Sequence, residues 1–248
     1  VGVATHVDVV VHVDGALATG ANDGSSWANA YQGSEGLHAA LASAPDGAEI
    51  WLTSGTYLPS TIGDPTRAFR VEGTGLVVRG GFAGTESTVR ERPPRGAAPT
   101  VLSGDLAGDD GTAMGSPADN SRVVLDVDGF FATFENLTVS GGAPLSAGTF
   151  GAIDVRSSNV VTPHVVRFEH VVVENGYGCG VGSLASNMPG AGVGLAFSDC
   201  TFRDLGGSAV FMDSVEGCQV DRCVFQRCAT GLEFRWSWGS TRIRDSSL

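Results

Sequence analysis

Apolar residues in the second half of the chain recur in a fixed six-residue phrase. Phe134-Glu-Asn-Leu137-Thr-Val139 is followed by Phe168-Glu-His-Val171-Val-Val173, Phe197-Ser-Asp-Cys200-Thr-Phe202, Val220-Asp-Arg-Cys223-Val-Phe225 and Ile243-Arg-Asp-Ser246-Ser-Leu248. The phrases start 34, 29, 23 and 23 residues apart. A second phrase alternates at period 2: Gly151-Ala-Ile153-Asp-Val155-Arg, Gly207-Ser-Ala209-Val-Phe211-Met-Asp and Thr230-Gly-Leu232-Glu-Phe234-Arg-Trp. Such alternation marks strands with one buried face. Between them lie Ser140-Gly-Gly, Glu174-Asn-Gly and Asp204-Leu-Gly-Gly, residues that accept the left-handed backbone of tight corners. A period this short suits neither a helical repeat nor a propeller blade and predicts a parallel β-solenoid with about three short strands per coil. The expected inward rows are Phe134, Phe168, Phe197, Val220, Ile243; then Leu137, Val171, Cys200, Cys223, Ser246; then Ile153, Ala209, Leu232.

The first half carries a different pattern. His6 to Val13 alternates as a strand, and Glu49–Thr53, Ala68–Val71 and Leu76–Arg79 read as short strands. Ser34 to Ala44 is the one good helix candidate, with Leu37, Ala40, Leu41 and Ala44 on one face. A solenoid exposes unpaired strand edges unless its end is covered. Residues 1–60 are therefore expected to form a strand-and-helix cap, and 61–248 the solenoid. Residues 83–120, rich in Gly, Pro and Asp, read as a long loop excursion, and 142–150 and 182–192 as smaller insertions, all expected on one wall. The chain stops at Leu248 within a repeat, which predicts missing C-terminal coils or an edge that another molecule covers, with self-association through it as one outcome.

Composition narrows the function. The 248 residues carry a net charge of −12, and all 15 of the Lys+Arg are arginine. Such a chain is a poor phosphate binder, which argues against a nucleic-acid partner. No apolar run approaches the ~18 residues of a membrane span. Without lysine there is no Schiff base, no lysine general base and no P-loop.

The first half resembles a known group. Asn22-Asp-Gly-Ser-Ser-Trp-Ala-Asn-Ala-Tyr31, Leu37-His-Ala-Ala-Leu-Ala and Ala48-Glu-Ile-Trp-Leu-Thr-Ser-Gly-Thr-Tyr-Leu-Pro59 look like the opening of bacterial right-handed parallel β-helix surface proteins. Gly80-Gly-Phe-Ala-Gly-Thr-Glu86 and Thr100-Val-Leu-Ser-Gly-Asp-Leu-Ala-Gly-Asp-Asp110 resemble the next blocks of that group. It is related to polymorphic outer-membrane proteins within the pectin-lyase-like superfamily. The resemblance implies an all-β, right-handed parallel β-helix with an N-terminal cap, and a bacterial extracellular or cell-surface setting.

Candidate chemistry lies on the expected walls and loops. Five cysteines leave at least one unpaired, and Cys200 and Cys223 fit a row of small buried side chains. Asp105, Asp109 and Asp110, joined by Asp119 and Asn120, could gather oxygen ligands for Ca²⁺, although their spacing is not that of an EF-hand; a solvated turn is the alternative. No cofactor is otherwise required. Asp109-Asp110 also resembles the paired carboxylates of pectin-hydrolysing β-helices, but the Gly-His-Gly that accompanies them is missing. Asp154, Arg156, Glu233 and Arg235 should point outward from the repeats and could grip a glycan. Three coils at ~4.8 Å put Asp154 and Glu233 roughly 14 Å apart, beyond the ~6.5–9.5 Å of an inverting acid and base. Lyases of the superfamily use a Lys or Arg base. Here Arg167 and Arg222 lie near His170 and Asp199, with Arg167, Glu169, His170 and Asp199 the densest polar patch on the repeats, and an arginine base needs an unusual setting. Trp236 and Trp238 should face outward, to stack on sugar or to be covered. Asn136-Leu-Thr138 is a glycosylation triplet of a kind that arises by chance. The leading expectation is a secreted or cell-surface β-helix with a structural, adhesive or glycan-binding role. The alternatives are a polysaccharide lyase, hydrolase or epimerase, and a self-assembling fibre subunit.

Overall fold

A computed structural model describes residues 9–110, 118–128, 130–143, 151–157, 164–185, 193–213, 216–235 and 239–247. Its strands wind in coils. β1 (Val10–Asp14), β2 (Tyr31–Gln32) and α1 (Gly33–Ser43) come first. The first coil holds β3 (Glu49–Thr53), β4 (Gly55–Tyr57) and β5 (Phe69–Val71), and the second β6 (Val77–Phe82), β7 (Thr100–Ser103) and β8 (Leu125–Val127). The third holds β9 (Thr133–Glu135), β10 (Thr138–Ser140) and β11 (Gly151–Ser157), and the fourth β12 (His164–Glu169), β13 (Val172–Gly176) and β14 (Cys179–Ala185). In the next two coils the second and third strands merge, as β15 (Val193–Ser198) with β16 (Thr201–Asp213), then β17 (Gly217–Asp221) with β18 (Val224–Arg235); β19 (Thr241–Arg244) follows.

Stacking coil on coil gives three walls. The first sheet runs β2-β1-β3-β6-β9-β12-β15-β17-β19, every pair parallel. The second wall runs β4-β7-β10-β13 into the start of β16 and β18, and the third runs β5-β8-β11-β14 into their ends. This is a parallel β-helix, and the first two strand rungs lie before residue 61.

The core is built of rows. Val11, Ile50, Val78, Phe134, Phe168, Phe197, Val220 and Ile243 stack along the first sheet in the expected register. The Phe134, Phe168 and Phe197 rings lie face on face with centroids 5.4 and 5.1 Å apart. Leu137, Val171, Cys200 and Cys223 are buried beside them, and the Cys223 N–H donates to Ser246 Oγ. All five thiols are free, and burial pushes the Cys200 thiol up. Helix α1 packs Leu37, Ala40 and Leu41 onto the N-terminal end of this core.

Three expectations need correction. Ala209 does not stack with Leu232; Val210 does, in the row Leu125, Ile153, Val181, Val210, Leu232. A bulge between Leu205 and Ser208 shifts the register by one, which turns Phe211 outward beneath the Arg235 guanidinium, 5.1 Å from the ring. Residues 83–120 are not one loop, because Thr100–Ser103 forms β7 in the second wall, and residues 182–185 belong to β14. The excursions also leave from different corners. Residues 83–99 join the first wall to the second and 104–110 leave the second, while 144–150 and 186–192 lie outside the described residues.

The corners explain the polar residues of the repeat. Asn136, His170, Asp199, Arg222 and Asp245 all take φ between 47° and 55°, one per coil, at the bend between the first and second walls. Asn175, Asp204 and Arg227 do the same at the next bend, with φ 51° to 56°. Left-handed backbone is where Asn and Asp cost least.

Candidate functional site

The third wall carries an outward ladder of Arg70, Asp126, Asp154, Gly182, Phe211 and Glu233, one residue per coil. Its charged half arises because β5, β8 and β11 each place one charged residue between two apolar ones that point inward: Phe69-Arg70-Val71, Leu125-Asp126-Val127, Ile153-Asp154-Val155. Adjacent rungs put the Asp126 and Asp154 Cα atoms ~4.8 Å apart. Arg156 bridges them, with Nε 2.8 Å from Asp154 Oδ2 and 3.4 Å from Asp126 Oδ1. Arg70 extends the line, with Nε 3.4 Å from Asp126 Oδ2 and 3.5 Å from Glu72 Oε1.

Although Asp154 lies on the outward ladder, its side chain is 0% exposed, and Oδ1 accepts no hydrogen bond. The solvated wall carboxylate expected from sequence is thus an enclosed one. Burial pushes its pKa up to about 6, against the pull of Arg156 and with a further push from Asp126. Asp126 is raised too, by burial first, with Arg156 and Arg70 opposing. Arg70, Glu72 and Arg156 form an exposed rim above this buried base. A cavity of about 680 Å³ opens between α1 and β5 at the Arg70 end, lined by His38, Asp64, Arg67, Arg70 and Glu72. At the far end, Glu233 accepts from Ser208 Oγ at 2.7 Å and from Arg235 at 3.3 Å. Asp154 and Glu233 stand three rungs apart, as expected.

The other sequence candidates fall elsewhere. His170 and Asp199 meet, Nδ1 to Oδ2 at 4.0 Å, as successive members of the first corner row. Arg222 from the next coil clasps Asp199 with two bonds of 2.8 and 2.7 Å and holds its carboxyl below the ordinary range. Burial, then Arg95, lowers the His170 pKa, so its imidazole is neutral at neutral pH. Arg167 does not join them; it projects, exposed, from the outer face of β12. Asp204 and Arg227 repeat the same clasp at the second corner. Asn136 Nδ2 donates to the Gly80 carbonyl, so the glycosylation triplet is a corner residue tied to backbone. Asp105, Asp109 and Asp110 lie in the turn between β7 and β8, where Asp105 and Asp109 gather with Asp119. Trp236 and Trp238 lie outside the described residues. Sequence reasoning missed Asp126 and Arg70; the repeated apolar-charged-apolar triplet was their signal.

No protein-family model matches the chain, and no curated protein matches it. Among solved structures it resembles the crystal structure of pectate lyase Pel9A with a TM-score of 0.53 and 14% identity, over 96% of this chain. The chain spans 62% of the length of that lyase. At this identity the likeness carries the fold alone, a right-handed parallel β-helix.

Proposed function

We propose that the protein is a secreted or cell-surface β-helix, of the bacterial surface-protein kind that its first half resembles, whose third wall binds a polysaccharide. The observation that carries this reading is the enclosed Asp126–Asp154 pair under Arg156 and Arg70. Burying like charges on an outer wall, where apolar residues would serve packing better, costs stability, and such costs concentrate at binding and catalytic sites. The rim of Arg70, Glu72 and Arg156 offers donors and acceptors side by side, held by ion pairs, which suits the paired hydroxyls of a sugar ring. The pectate lyase fold supports a polysaccharide ligand and an extracellular setting. A net charge of −12 repels polyuronates and favours a neutral glycan.

The lyase alternative finds little support at this wall, since Arg70 and Arg156 are both paired with carboxylates. One observation favours an acid-catalysed reading: Asp154 takes up its proton near pH 6. Its enclosure keeps it from touching a substrate, so binding is the function the geometry supports best. Retention of the chain on a panel of insoluble neutral and acidic polysaccharides tests this. The reading expects retention on a neutral glycan that Arg70→Ala abolishes; release of reducing or unsaturated product would move the conclusion to catalysis.

A further inference from the structure

The turn between β7 and β8 collects four carboxylates, Asp105, Asp109, Asp110 and Asp119, in a short stretch of chain. One oxygen each from Asp105, Asp109 and Asp119 lies within 4.8 Å of the others. Two oxygens bound to one Ca²⁺ at roughly 2.4 Å stand at most about 4.8 Å apart. The triad therefore has the span of a single coordination shell.

The cluster is fixed in place and lacks a counter-charge. Asp105 accepts the N–H groups of Gly108 at 2.7 Å, Asp109 at 3.2 Å and Asp110 at 3.1 Å, while Asp119 accepts that of Ala107 at 3.3 Å. Arginines elsewhere clasp carboxylates across coils, yet among the described residues none forms an ion pair with these four. Like charges held this close repel unless a cation joins them.

A second observation lies beside the carboxylates. Asn120 is 1% exposed, and its Nδ2 donates to Asp110 Oδ2 at 2.7 Å. That bond sets the amide against Asp110, whose own N–H sits on Asp105. The amide oxygen, Asn120 Oδ1, is buried with no donor, and so are Asp110 Oδ1 and Ser121 Oγ. Buried oxygens are normally satisfied, and orphans next to an acidic cluster call for a proton donor or a cation. An all-oxygen set of carboxylates and an amide carbonyl is the chemistry of Ca²⁺.

We propose that this turn is a Ca²⁺ site, with Asp105, Asp109 and Asp119 as carboxylate ligands and the Asn120 amide oxygen supplied from the buried side. The turn is seated on the next coil. The Gly104 N–H donates to the Ser140 carbonyl at 2.7 Å, and the Ala143 N–H donates to the Ser121 carbonyl at 2.9 Å. The ion acts as a clip that ties the two ends of this turn together just before the chain enters β8. It does so whether or not the wall beyond binds a glycan.

The test is calorimetric titration of CaCl2 into the full chain after chelator treatment, with MgCl2 for comparison. One Ca²⁺ site is expected, weakened more than about tenfold by Asp105→Asn with Asp119→Asn and unchanged by Asp126→Asn on the wall. A second variant, outside the ligand set, uses Tyr177, whose phenol is raised by burial and by all four carboxylates. Tyr177→Phe should abolish most of the tyrosine-sensitised luminescence of bound Tb³⁺ while leaving the calorimetric Ca²⁺ affinity unchanged. No Ca²⁺ binding at millimolar concentration, binding that survives the double substitution, or a luminescence signal indifferent to Tyr177 would overturn the proposal.

Discussion

Replacing Asp154 by asparagine should stabilise the protein at alkaline pH and leave it nearly unchanged in mild acid. The side chain is enclosed, and its pKa stands at about 6 against an ordinary 3.8. A folded state that binds its proton more tightly than the unfolded state loses stability as pH rises between those two values. The difference of about 2.2 units corresponds to roughly 3 kcal/mol lost by about pH 7.5. The Arg156 bond is already contained in that shift. The asparagine side chain keeps the shape of the neutral acid and cannot ionise, so the variant should exceed the parent by about 3 kcal/mol at pH 8. Urea denaturation of both proteins at pH 4.5, 6 and 8 measures this. The informative quantity is the difference between them, because His12, His38 and His170, all lowered by burial, push stability the other way as pH falls below about 6.5 in both proteins. Asp126, Arg70, Asp128 and Glu72 also face the cluster and are common to both. A variant less stable than the parent at pH 8, or a difference that does not change with pH, would refute the reasoning.

Three further outcomes follow from the packing. Phe168→Ala removes the middle ring of the Phe134–Phe168–Phe197 stack at a site 1% exposed, and should cost about 3–5 kcal/mol in urea denaturation. Gly104→Ala would drive a methyl group to 1.8 Å from the Gly141 carbonyl oxygen, a backbone atom that cannot step aside, so a loss of about 1–3 kcal/mol or more is expected. His170→Asn places a residue suited to left-handed backbone at φ 53°; it should gain up to ~1 kcal/mol and leave glycan retention intact, since the corner is a structural row.

The stacked rows were readable because the six-residue phrase repeats the same inward positions from Phe134 to Ile243, and period and register are properties of sequence alone. The third strand was read one residue out. Nothing in Gly206-Gly207-Ser208 announces that the chain bulges there, and a bulge is decided by how the bend closes. β7 went unseen because Thr100-Val-Leu-Ser stands alone between two long turns, and only its neighbours β4 and β10 make it a strand. Asp154 and Arg156 were placed on the outer face by alternation, but their enclosure and the partnership with Asp126 and Arg70 depend on stacking coils whose sequence spacing varies. The lack of lysine found its physical counterpart in the corners, where Arg222 and Arg227 fork onto Asp199 and Asp204 with two bonds each, a geometry an ammonium cannot reproduce.

The most direct measurement of the central claim is isothermal calorimetry of the full chain with soluble neutral oligosaccharides drawn from the retained glycan, comparing the parent with Arg70→Ala and Asp126→Asn on the wall and His170→Asn at the corner. The account predicts binding that either wall substitution abolishes and the corner substitution leaves unchanged. Binding that survives both wall substitutions, or that falls with His170, would contradict it.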